Sequence, residues 1–161
     1  MGLYLDIETT YQGELTVIGL HHSGLGTMQL VAPAISAQAL EALLPPAICI
    51  YTYNGDRFDL PIIKQQLGVD LKLRYRSVDL MNACHRARLF GGLKAVEQKL
   101  GIGRQHEGLS GKDAVALWYV WQRDGNREAL DQLLAYNRED VENLVTLRER
   151  LEQRLGRGDR L

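Results

Sequence analysis

The sequence predicts an α/β protein: a mixed sheet with an antiparallel hairpin at its edge and helices on both faces. Three observations carry this. The segments "LYLDIE", "ELTVIGLHH" and "TMQLVA" are short apolar runs separated by Gly-containing turns, the pattern of strands joined by hairpins. The segment "AICIY" is continuously apolar, as in a strand covered on both faces. Almost everything after residue 59 has helical periodicity, so strands come first and helices follow.

Each element follows from local chemistry. In "LYLDIE", side chains alternate, so Leu3, Leu5 and Ile7 share one face and Asp6 and Glu8 the other. This strand is expected at the centre, between its hairpin neighbour and "AICIY". "SAQALEALL" reads as a short helix with Ser36 as N-cap, stopped by Pro45-Pro46. Asn54-Gly55 turns the chain after "AICIY". Pro61 lacks an N–H and fits only a first helical turn, so "LPIIKQQLG" begins near Asp59 or Leu60 and ends at Gly68. "SVDLMNACHRA" and "LKAVEQKLG" read as two helices, the second closed by Gly101. "GLSGKDAVALWYVWQRDG" contains another. From Asn126 the pattern is helical to about Leu155, with room for a break near Tyr136-Asn137.

Composition bounds the function. A chain of 161 residues is expected to form one domain, 1–161, with a substantial core. No apolar run approaches the roughly 20 residues of a membrane span. No basic stretch precedes an apolar run at the N-terminus. The expectation is a cytoplasmic protein without a membrane partner. Cys49 and Cys84 are too few and too far apart for a disulfide framework or a zinc site. Net charge is −1, but it is unevenly spread: residues 57–112 hold eleven Lys or Arg against five Asp or Glu. A basic middle beside an acidic remainder suits either a polyanion substrate meeting an acidic metal site or an ordinary solvated surface.

The acids raise the functional question. Two carboxylates side by side on a strand repel and are costly to bury without a partner. A hard cation such as Mg²⁺ would relieve Asp6 and Glu8, and so would an open strand end in water. Asp59 sits where a helix begins just past a strand, a position that Asp fills well as an N-cap. In "LLAYNREDVENLVTLRERL", Tyr136 and Asp140 are four apart and share a helix face, above an apolar stripe of Val141, Leu144, Val145, Leu151 and Leu155. The competing reading makes Asn137 an N-cap with Asp140 completing a capping box.

The order Asp-x-Glu, Asp, Asp, with Tyr four residues before the last, resembles the DEDD superfamily of 3′-to-5′ exonucleases in the DnaQ-like, ribonuclease-H-like fold. The Tyr resembles that of its DEDDy branch. The matching motifs are "LDIET", "YNGDRFDLP" and "YNREDVENL", and the likeness is greatest to a bacterial group of predicted exonucleases sharing "NG-x-x-FD-x-P" and "YN-x-x-D". The resemblance spans nearly the whole chain. It implies a three-layer α/β/α fold with about five strands and hydrolysis of phosphodiester bonds at 3′ ends. It further implies that Asp6, Glu8, Asp59 and Asp140 hold two divalent ions, Mg²⁺ or Mn²⁺, about 4 Å apart, with Asp6 bridging them. Tyr136 would orient the attacking water, or else serve only as core packing. Asn54 and Thr9 match positions that hold the terminal nucleotide. The implied partner is a single-stranded nucleic-acid 3′ end, DNA or RNA. So small a chain has little surface for choosing substrates, so selection is expected to fall to a protein partner or a homodimer.

Two rivals share the sequence. One is an exonuclease trimming RNA ends or short oligonucleotides with the same site. The other is a nucleic-acid-binding module that keeps the fold without catalysis. Asp79 suits a helix cap better than a place beside the metals. Arg74, Arg76, Arg86, Arg88, Lys94 and Arg104 supply the basic excess for gripping phosphates or for solvation. Trp118, Tyr119 and Trp121 read as core, and His21, His22, His85 and His106 carry no assignment.

Overall fold

Five strands build one sheet in the computed structural model, which describes residues 2–105 and 108–156. They are β1 (Gly2–Thr9), β2 (Leu15–His22), β3 (Gly26–Val31), β4 (Cys49–Thr52) and β5 (Arg76–Asp79), in the spatial order β3-β2-β1-β4-β5. β1 is central, antiparallel to β2 and parallel to β4. β3 is the antiparallel edge and β5 the parallel one. The mixed sheet, the edge hairpin and the central place of the first strand agree with the sequence reading.

Among the described residues, six α-helices cover the two faces: α1 (Ala37–Leu43), α2 (Asp59–Leu67), α3 (Leu80–Arg86), α4 (Leu93–Lys99), α5 (Gly111–Asp124) and α6 (Arg127–Leu155). On one face Leu3, Leu5, Ile7, Ile18 and Leu20 meet Leu40 of α1 and Leu60 and Ile63 of α2. Fully burying each such side chain contributes about 1.5–3 kcal/mol. On the other face Tyr4 and Tyr51 meet α3, α4 and the stripe Val141, Leu144, Leu147 and Leu151 of α6. A third cluster joins Val17 to Trp118 of α5 and to Leu133 and Tyr136 of α6. Tyr119 departs from the core expectation: it is exposed and stacks on Tyr11 with ring centroids 5.4 Å apart. Among the described residues, no helix is long and apolar enough to cross a membrane, and both cysteines are free and buried.

The caps explain the helix bounds. Ser36 accepts from the Ala39 N–H at 3.1 Å, as its position suggested. Gly68 closes α2 at φ +72°, a conformation costly for any side chain. Ser110 and Asp113 form a reciprocal capping box at the start of α5.

Two elements differ from expectation. "SVDLMNACHRA" is not one helix: Arg76–Asp79 pairs with β4 as a strand, and only then does α3 begin, with Asp79 as its N-cap. A four-residue strand offers too little alternation to compete with the helical pattern beside it. α6 runs unbroken for 29 residues. Asn126, not Asn137, caps it, accepting from the Ala129 N–H at 3.2 Å. Asn137 is fully buried within the helix, and its amide is engaged elsewhere.

Candidate metal centre

The site forms where β1 loses its parallel neighbour. β1 pairs with β4 only over Gly2–Tyr4, and then the strands part. The Ile7 N–H beyond that point donates instead to Asp59 Oδ1, 3.1 Å away. Asp59 therefore reaches the backbone between Asp6 and Glu8 rather than capping its own helix, whose N-cap is Phe58.

A tight turn delivers Asp59. Asn54 adopts φ +61°, a left-handed conformation that Asn tolerates better than most residues. Gly55 leaves room for Thr52, whose side chain would lie 2.3 Å from a Cβ there. Asp79 clamps the turn: Oδ1 accepts from the N–H of Asn54 at 2.8 Å and of Met81 at 3.0 Å, and Oδ2 from that of Asp56 at 3.3 Å. Asp79 thus acts as the expected helix cap and also braces the segment leading to Asp59.

α6 supplies the rest. Its buried stripe recurs at Leu133, Tyr136, Asn137, Asp140, Val141 and Leu144, a helical period facing the sheet. Tyr136 is 5% exposed and Asp140 7%. Asp6, Glu8 and Asp140 each offer an oxygen within 4.8 Å of the others. Three hard oxygen donors at that spacing suit a divalent cation.

The electrostatics fit such an ion. Burial, then the charges of Glu8, Asp140 and Asp59, push the Asp6 carboxyl well above its usual range. Burial, then Asp140 and Asp59, raises Glu8 to about 8. Asp59 rises to about 7, mainly through burial, despite hydrogen bonds from backbone N–H groups. Asp140 is also raised by burial, with Arg104 working against the rise. Without a cation, these clustered acids repel one another, and burial disfavours their charged forms further.

Arg104 partly answers that need. Its guanidinium, in the segment between α4 and α5, pairs with Asp140, with Glu97 at 2.6 Å and with Glu139 at 3.4 Å. Its side chain is only 6% exposed, and Glu97 is wholly buried. Lys94 of α4 places Nζ 4.5 Å from the centre of the Tyr136 ring. Burial and the nearby Arg104 lower its pKa.

Of the residues singled out in the sequence, Asp6, Glu8 and Asp140 meet directly, Asp59 adjoins them, and Tyr136 lies one helical turn before Asp140. Thr9 ends β1, half-buried, where the register with β2 shifts. The Asn54 backbone shapes the turn, while its side chain bonds to none of the described residues. Sequence reasoning read Asn137 only as a helix cap, missed Glu97, and left Lys94 and Arg104 in a general basic excess. A mid-helix Asn beside the Tyr was the only local signal for the first. His106 lies outside the described residues.

A family model for the RNase_H superfamily matches residues 3–152. The family B DNA polymerase from the hyperthermophilic archaeon Pyrobaculum calidifontis superposes with a TM-score of 0.63 at 18% identity. That match covers 96% of this chain but 24% of the polymerase, so the likeness is one of fold and spans about a quarter of the larger protein. No curated protein matches the chain by sequence.

Proposed function

Because the chain belongs to the RNase_H superfamily, we propose that it is a metal-dependent 3′-to-5′ exonuclease of the DEDDy type, removing nucleotides from single-stranded ends. The observation that carries this reading is the meeting of Asp6, Glu8 and Asp140 oxygens within 4.8 Å, with Asp59 bonded to the backbone between the first two.

Asp6, Glu8, Asp59 and Asp140 would hold two divalent ions, Mg²⁺ or Mn²⁺. When bound, such ions acidify water and offset charge on the attacking and departing oxygens. The protein's share is positional. β1 presents two acids from one face, α6 presents the third, and the N-terminus of α2 presents the fourth. Tyr136 keeps its proton, because burial and the Asp140, Glu8 and Asp6 charges push its pKa well above the usual phenol range. It therefore orients water through a hydrogen bond rather than acting as a base. Thr9, at the end of β1, and Asn54, in the turn just past β4, are assigned to the terminal nucleotide. Lys94 and Arg104 place positive charge beside the acids, Arg104 by pairing with Asp140 and Lys94 over the Tyr136 ring.

The test is cleavage of 5′-end-labelled single- and double-stranded DNA and RNA by the purified chain with Mg²⁺, Mn²⁺ or chelator. A ladder shortening from the 3′ end, abolished by chelator and by Asp6→Ala in a folded variant, is the expected result. Internal fragments would indicate an endonuclease. Binding without cleavage under every condition would leave a nucleic-acid-binding module. The RNA and DNA arms decide which sugar is preferred.

A further inference from the structure

Asp6, Gly19 and Gln29 lie in one cross-strand row: Asp6 is in register with Gly19, and Gly19 with Gln29. The middle position has no side chain. A Cβ there would stand 2.3 Å from Asn137 Oδ1, so the gap over Gly19 is filled by Asn137 of α6. Asn137 thereby bridges the outer members of the row. Its Oδ1 accepts from Gln29 Nε2 at 2.9 Å, and its Nδ2 donates to Asp6 Oδ2 at 2.9 Å and to the Asp6 carbonyl at 3.4 Å.

The direction of this chain is set by backbone. Gln29 Nε2 also donates to the Leu134 carbonyl at 2.9 Å. A carbonyl can only accept, so the nitrogen of Gln29 must face α6, and the Asn137 oxygen must face that nitrogen. The Asn137 N–H edge is then left for Asp6. Asp6 Oδ1 accepts nothing from the described residues. A buried Asn inside a helix is locally unfavourable by propensity, so its place is explained by what it holds.

We infer that Asn137 is a positioning residue: with its amide orientation locked by Gln29, it holds one oxygen of Asp6 and leaves the other for a divalent ion. The inference rests on the metal-holding reading of the acid cluster. Because Asn137 lies between Tyr136 and Asp140 in sequence, the same bridge sets the rotation of α6 over β1. Partners that orient metal ligands in this way typically govern metal affinity by about 10–100-fold.

The experiment measures Mn²⁺ affinity by calorimetry, and thermal unfolding in chelator, for three proteins: wild type, Asn137→Leu, and Asn137→Leu with Gln29→Leu. The single variant is expected to bind Mn²⁺ about 10–100-fold more weakly. The double variant removes both amides, so stability should recover because no donor is stranded, while affinity stays low. A role limited to packing predicts that affinity returns with stability, and that result overturns the inference, as does an affinity unchanged in the single variant. Should Asn137→Leu fail to fold, Gln29→Leu on the half-buried edge strand carries the test: it frees the amide, and unchanged Mn²⁺ affinity overturns the inference. Absence of Mn²⁺ binding by wild type brings down both the exonuclease reading and this one. Mn²⁺ binding without cleavage of any nucleic acid brings down only the former.

Discussion

Replacing Glu8 by Gln should stabilise the metal-free protein while weakening its hold on divalent ions. Glu8 is 9% exposed, and its carboxyl rises from its ordinary 4.5 to about 8, first through burial and then through Asp140 and Asp59. Between those two values the unfolded chain has released this proton and the folded chain has kept it. The folded state binds more protons in that window, so stability falls as pH rises from 4.5 and levels off above 8. With about 1.4 kcal/mol per pKa unit, the loss reaches about 1 kcal/mol at pH 5 and at most about 4 kcal/mol at pH 8. Gln has no proton to lose and removes this slope. A domain of this size gains about 2–4 °C in Tm per kcal/mol, so the variant should melt up to about 8–16 °C higher at pH 8 and only slightly higher at pH 5. The assay is thermal unfolding of both proteins in chelator at pH 5, 6.5 and 8, then with Mn²⁺ at pH 8. Mn²⁺ at 100 times its dissociation constant should stabilise wild type by about 2.7 kcal/mol and the variant much less. A variant that melts lower than wild type at pH 8, or a gap that does not widen with pH, would refute the claim that burial, and then its acidic neighbours, disfavour the charged form of Glu8.

Further outcomes follow from the same geometry. Mn²⁺ binding should release protons and strengthen from pH 6 to 8, because Asp59 and Glu8 titrate near 7 and 8 in the metal-free protein; calorimetry in buffers of different ionisation enthalpy counts those protons. Gly19→Ala should lower stability by about 1–3 kcal/mol, since its Cβ would meet Asn137 Oδ1 at 2.3 Å, and denaturant unfolding reads the loss. Tyr136→Phe should leave unfolding within about 1 kcal/mol of wild type, because the ring keeps its packing against α5, and should slow cleavage less than Asp6→Ala does, as timed on a labelled oligonucleotide.

Short-range rules reached far into the candidate site. Strand alternation alone put Asp6 and Glu8 on one face, the missing N–H of Pro61 put Asp59 at a helix start, and helical spacing put Tyr136 and Asp140 together. These are constraints between residues a few positions apart, and the chain carries them before it folds. The third dimension decided the rest. β5 exists because β4 offers a parallel edge, not because four residues insist on a strand. α6 continues through Asn137 because the partners of that amide, Asp6 and Gln29, lie 131 and 108 residues away. Arg104 reaches Asp140 across 36 residues, and nothing in its local sequence distinguishes it from the other arginines of the basic middle. Hydrogen bonds and charge pairs of this kind act over a few ångströms of space, whatever the separation along the chain, so only the folded arrangement could assign them.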